Sequence, residues 1–254
     1  MPTPDDAFFE AWEADLTEAE RAKFWRDGVI DPDAYAEAPI KLLYVMPVPD
    51  DMGASEPHPE LGRDLRAIVA DPDRPPGNHG TAIARWTSLI LEGELPTRFG
   101  QAAAKKQLKR VAVITAQKIG GPASEVRDAT ALWGRVHGER LLDQIDAIDP
   151  QVIILCGDHV HEAWPAILTD QPGIPPVVRG EYDWEGKSVL ATVHPAAPGM
   201  KTEDKNADAV AFADSPEIRE LRGDPPPGEE PEPTENPNDA IAGPASDPGS
   251  SVVG

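Results

Sequence analysis

Asp149-Pro150-Gln151-Val152-Ile153-Ile154-Leu155-Cys156-Gly157-Asp158-His159 is the stretch that decides the fold. Val152–Cys156 is a short apolar run rich in β-branched residues, the pattern of a strand covered on both faces, as in a parallel sheet. Helical stretches flank it, at Gly134–Ala147 and Val160–Leu168. Working outward, three more runs have the same character: Ile40–Val48, Val111–Ala116 and Ser188–Val193. Further helical stretches, Glu60–Ala70 and Thr81–Leu91, fall between them. Strand–helix alternation implies right-handed crossovers. The expected fold is an α/β three-layer α/β/α sandwich with a central, mostly parallel four-stranded sheet.

N-terminal helices are expected before that core. Phe8, Phe9 and Trp12 recur at helical spacing, and Leu16, Phe24 and Trp25 follow in a second acidic helix. Thr17 with Glu20 three positions on is a capping-box spacing. These aromatics read as core or docking residues. From about Asp224 proline, glycine and acids dominate, a composition with too little apolar surface to offset chain entropy. The expected organisation is therefore a helical extension over residues 1–38, an α/β domain over 39–222 and a disordered acidic tail over 223–254.

The chain has 254 residues, 45 of them acidic and 23 basic, for a net charge of −22. Residues 223–254 hold seven of the acids and no base, which leaves 38 acids against 23 bases elsewhere. Such a field repels nucleic acid over a Debye length. Adaptation to high salt and a protein that does not bind nucleic acid both account for it. One dense basic stretch, Lys105-Lys106-x-x-Lys109-Arg110, reads either as part of a nucleic-acid stripe or as a solvated helix end complementing the macrodipole. A single cysteine excludes an internal disulfide framework. No apolar run is long enough to span a membrane. The opening Met1-Pro-Thr-Pro-Asp-Asp lacks the basic and apolar regions of a secretory signal, so a cytoplasmic location is expected.

Each strand runs out into residues that do not belong in a core, and in a parallel sheet those ends share one edge. The first end carries Asp50 and Asp51, which read as turn acids, as an N-cap, or as a carboxylate that polarises water. The second carries Thr115 and then Lys118-Ile119-Gly120-Gly121, which reads as a tight turn or an anion cradle. It is not a P-loop. The third carries Cys156, His159, His161 and Glu162, whose spacing matches no closed zinc pattern; no metal is expected, and both histidines are placed at the exposed start of the next helix. The fourth carries His194, Pro195 and Ala196. Asn78 and His79 lie in an expected loop before a helix, followed by Arg85 and Trp86. They offer amide recognition, a proton carrier, an anion contact and a stacking face, with an N-cap at Asn78 or Thr81 as the plainer reading.

The layout resembles the uracil-DNA glycosylase superfamily. Leu141–Gly157 is similar to the helix–strand unit of its bacterial and archaeal branches. Arg179-Gly180 and then His194-Pro195-Ala196-Ala197 resemble their Arg-Gly…His-Pro-Ser-Ala ending, and Lys118 matches a loop lysine. The resemblance spans roughly residues 40–200 and departs in particulars. Met46 stands where glycine is usual, Pro47 takes the water-handling position, and Thr115 falls near a base-reading asparagine. The cysteines of an iron–sulfur cluster are absent, with Ile119 at one of their places, so no cofactor is expected. The resemblance implies hydrolysis of the N-glycosidic bond of uracil or a modified base in DNA. His194 would stabilise the departing base, Asp50 or Asp51 would replace the missing carboxylate, and Trp86 would stack on an extruded base while Tyr44 stays in the core. A catalytically silent nucleotide or nucleic-acid binding module on the same fold is the second reading, and an enzyme of free nucleotides is the third.

Overall fold

The computed structural model describes residues 6–49, 62–119, 126–168, 179–197 and 199–225. Its elements run α1 (Asp6–Ala14), α2 (Glu18–Arg21), β1 (Gly28–Val29), α3 (Pro32–Glu37), β2 (Leu42–Met46), α4 (Leu65–Ala70), α5 (Gly77–Glu92), α6 (Gln101–Leu108), β3 (Ala112–Thr115), α7 (Val126–Ile148), β4 (Val152–Cys156), α8 (Asp158–Ile167), β5 (Gly180–Trp184), β6 (Lys187–Thr192), α9 (Thr202–Ala213) and α10 (Pro216–Arg222).

The protein is α/β, but its sheet is six-stranded and mixed, not four-stranded, in the order β1-β3-β2-β4-β6-β5. The four expected strands form its parallel centre, with β2 flanked by β3 and β4, and β6 beyond β4. Short antiparallel strands, β1 against β3 and β5 against β6, close the two edges. Strand periodicity divides the apolar residues between two cores. Leu42, Tyr44, Met46, Val152 and Ile154 face one core with α5 and α9, whereas Leu43, Val45, Ile153 and Leu155 face the other with α7 and α8. Because β2 and β4 are covered on both faces, all ten of their residues are buried.

Residues 6–38 do not stand apart as a helical extension. They supply β1, place Trp25 and Ile30 in one core, and place Phe9, Trp12 and Phe24 in the other. The capping box forms, with Thr17 Oγ1 accepting the Glu20 N–H and Glu20 reaching back to the Thr17 N–H. Two helix starts differ from expectation. The α5 helix begins at Gly77, because Pro76 already holds a helical φ of −66° at its N-cap, so Asn78 and His79 lie inside its first turn. The α7 helix begins at Val126 and bends at His137, whose φ of −120° departs from helical geometry. The expected helix start at Glu60 and the tail beyond Pro225 lie outside the described residues. Among the described residues no helix is long and apolar enough to cross a membrane.

Candidate functional site

Strand order reverses at β2: the chain moves from β2 to β3 on one side, then crosses to β4 on the other. Ligands of open α/β sheets bind outside the carboxyl ends of the strands at such a switch point. Beyond the end of β4, Gly157 adopts φ +95°, and its N–H donates to the Thr192 carbonyl at 2.8 Å. A β-carbon at Gly157 would meet the His194 β-carbon at 3.3 Å. Glycine is thus what lets the chain leaving β6 pass close against the β4–α8 turn and set His194 at the edge of the sheet.

His194 is partly buried. Its Nδ1 accepts the Ala196 N–H at 3.2 Å. A backbone N–H only donates, so in the neutral ring the proton sits on Nε2. The His79 ring packs edge-on against it, with centroids 5.0 Å apart. Burial, reinforced by the neighbouring His79, Lys205 and His159, pushes the His194 imidazole from an ordinary 6.5 down to about 4. His79 is itself lowered by burial. The pair is therefore neutral near pH 7, and His194 is built as a hydrogen-bond donor through Nε2.

Beside the two histidines lies a cleft of about 340 Å³ between the first turns of α5 and α9 and the Pro195-Ala196 turn. Arg85 and Lys205 reach it from the two helices, and Asn78, His79 and Asn206 add polar groups. The described residues that line it include no Asp or Glu. Asn206 Oδ1 accepts the Trp86 indole N–H at 2.8 Å, which turns its amide NH2 away from the indole. Neither α5 nor α9 has a side-chain cap; α5 has no acid in its first turn and presents its positive dipole end here, whereas Glu203 and Asp204 in the first turn of α9 offset that of α9.

The structure brings Asn78, His79, Arg85, Pro195 and Ala196 together at the cleft beside His194, and sends other expected residues elsewhere. Trp86 is only 1% exposed and forms part of the core under α5, so it offers no face for stacking. Tyr44 is core as expected, its hydroxyl 3.1 Å from Thr87 Oγ1. Thr115 and Lys118 turn inward onto the buried carboxylate of Asp27. Asp27 accepts from the Thr115 N–H at 2.8 Å, its hydroxyl at 2.7 Å, Lys118 Nζ at 2.6 Å and Gln144 Nε2 at 2.9 Å. Burial pulls the Lys118 ammonium below its usual range while Asp27 opposes that. His161 is buried rather than exposed, because its Nε2–H reaches back to the Leu155 carbonyl at 3.1 Å. Pro47 is buried at the end of β2, its carbonyl accepting the Gln117 N–H. Asp50, Asp51, Gly120 and Gly121 lie outside the described residues.

The basic stretch is largely paired within the protein. It closes α6 and leads into the amino end of β3, where Lys109 pairs with Asp31, Arg110 pairs with Glu92, and Lys105 donates to the carbonyls of Asp71 and Pro72. Lys205, Asn206 and Asp27 were missed in the sequence. The first two sit on α9, which has no apolar periodicity to announce it, and Asp27 acts on residues 88 and 91 positions away. Comparison of the chain with family models and with characterised proteins finds no match.

Proposed function

We propose that the protein is a divergent relative of the uracil-DNA glycosylases that hydrolyses the N-glycosidic bond of uracil or a modified base in a nucleotide unit. The observation that carries this reading is His194: a histidine at the carboxyl edge of the sheet, kept neutral by burial, with Nδ1 tied to its own loop. N-glycosidic cleavage leaves negative charge on the departing base. A neutral imidazole already fixed in place donates Nε2–H to that charge without first surrendering a proton, as electrostatic preorganisation requires. Attack by water on the sugar carbon also calls for a carboxylate, and Asp50 and Asp51 lie three and four positions beyond Pro47 in the sequence.

A silent nucleotide-binding module is the second reading. It is favoured by the buried Pro47 and by the lack of Asp or Glu among the described residues of the cleft. The test is release of free uracil, followed by chromatography, from uracil-containing single- and double-stranded oligonucleotides and from deoxyuridine 5′-monophosphate. It is run at roughly 0.1 M and 1 M salt. Cleavage that falls about 100-fold or more in His194→Ala, and also falls in Asp50→Ala/Asp51→Ala, supports the enzyme. Ligand binding with no base release from any substrate leaves the silent module.

A further inference from the structure

We propose that the cleft between α5 and α9 is a phosphate subsite that takes the terminal phosphate of a free nucleoside monophosphate, in preference to a phosphodiester inside a DNA strand. This rests on the reading of His194 as the group that meets the base. In a chain of net charge −22, the described lining of this cleft has two full cations and no carboxylate. The contrast with other clefts is sharp. The one between β5 and α10 is lined by Glu181, Asp183 and Glu217, and the one against α1 mixes arginines with Asp6, Glu13 and Asp64.

Neither Arg85 nor Lys205 forms an ion pair with a described residue, whereas Arg26, Arg66, Lys109, Arg110 and Arg222 each have a carboxylate partner. Arg85 Nε is buried with no hydrogen-bond partner among the described residues. A buried, unsatisfied guanidinium N–H calls for an acceptor. The Asn206 amide, held by Trp86, adds a fixed donor, and the dipole of the uncapped α5, which has no acid in its first turn, adds positive potential.

Charge matching and size favour a terminal phosphate. A phosphate monoester carries about −1.5 to −2 near pH 7, which two cations neutralise, whereas each linkage within DNA carries a single charge. The cleft volume of about 340 Å³ lies at the low end of small-molecule sites, which run from about 300 to 1,000 Å³. A polymer would also have to bring a row of phosphates against the acidic remainder of the molecule, and most cations of the dense basic stretch are already engaged. A single nucleotide needs only a cleft whose described lining carries two cations and no carboxylate.

Titration calorimetry of the full chain tests this with deoxyuridine 5′-monophosphate, deoxyuridine, inorganic phosphate and a single-stranded oligonucleotide bearing internal uracil. The monophosphate is expected to bind at least about tenfold more tightly than the nucleoside. Arg85→Gln and Lys205→Gln should each remove most of that difference, and Arg85→Lys should keep part of it, with unchanged thermal melts in all three. His194→Ala should keep the phosphate-dependent difference. Equal binding of monophosphate and nucleoside, a difference insensitive to both substitutions, or tighter binding of the oligonucleotide each overturns the subsite. Phosphate-dependent binding without base release retains the subsite and removes the glycosidase reading. Base release from oligonucleotides that ignores Arg85 and Lys205 does the reverse.

Discussion

At the scale of single residues, His194 must stay uncharged to act as proposed, and its surroundings work against its proton from several sides. Burial removes water, and the neighbouring His79, Lys205 and His159 oppose a positive charge on the ring. The consequence for stability has a definite sign. A histidine lowered from 6.5 to about 4 takes up a proton more readily in the unfolded chain. Its contribution is therefore complete above about pH 6.5 and lost as pH falls toward 4. Across that window the loss is on the order of 3 kcal/mol. Denaturant melts at pH 7 and near pH 4 should show His194→Gln losing less stability with acid than the parent protein. The resonance of the His194 ring should titrate near 4; a midpoint near 6.5 would remove the neutral donor.

Among elements, the decisive junction is the end of β3, where an N-terminal segment and the central sheet are joined by buried charge. Asp27 and Lys118 are both 0% exposed, and the same carboxylate also holds Thr115 and Gln144. Removing one member of such a pair leaves an uncompensated charge and costs about 3–5 kcal/mol. Lys118→Met is expected to fall in that range, and Asp27→Leu/Lys118→Met is expected to cost less than the two single changes summed. A double-mutant cycle by denaturant unfolding measures this, and simple additivity would contradict it. Elements differ in how far the sequence revealed them, for physical reasons. The central strands were legible because burial on both faces demands unbroken apolar runs such as Val152–Cys156. The edge strands were not. The two-residue β1 is too short for any period, and β5, Gly-Glu-Tyr-Asp-Trp, carries the polar residues that an exposed edge requires. Its turn onto β6 uses Glu185 and Gly186 at φ +53° and +74°, a hairpin geometry usually signalled by Asn-Gly. Of the site, the loop bearing His194 could be read, because strand–His–Pro is a local pattern. The inward turn of Lys118, away from the site, could not, because its partner Asp27 is remote in sequence.

Taken as one body, the molecule combines a well-filled double core with a strongly acidic exterior. Charge of one sign destabilises the compact state through self-repulsion, and salt screens that repulsion. Thermal unfolding is expected to shift upward by about 5 °C between roughly 0.1 M and 1 M sodium chloride. A midpoint that is flat or falls with salt, followed by calorimetry, would show that the acids are already balanced locally. All the tryptophan of the protein lies in the interior that this transition opens. Trp12, Trp25, Trp86, Trp133, Trp164 and Trp184, the full complement, are each at most 5% exposed. Folded chains should therefore emit in the blue, and unfolding should move the whole emission band to the red in one step. Trp86 adds a second use, because its indole N–H ends on Asn206 at the wall of the cleft. An occupant that draws Asn206 toward itself would alter the light from that one indole while leaving the other five unchanged, so the protein carries an intrinsic optical gauge of its integrity and of any occupant of that cleft.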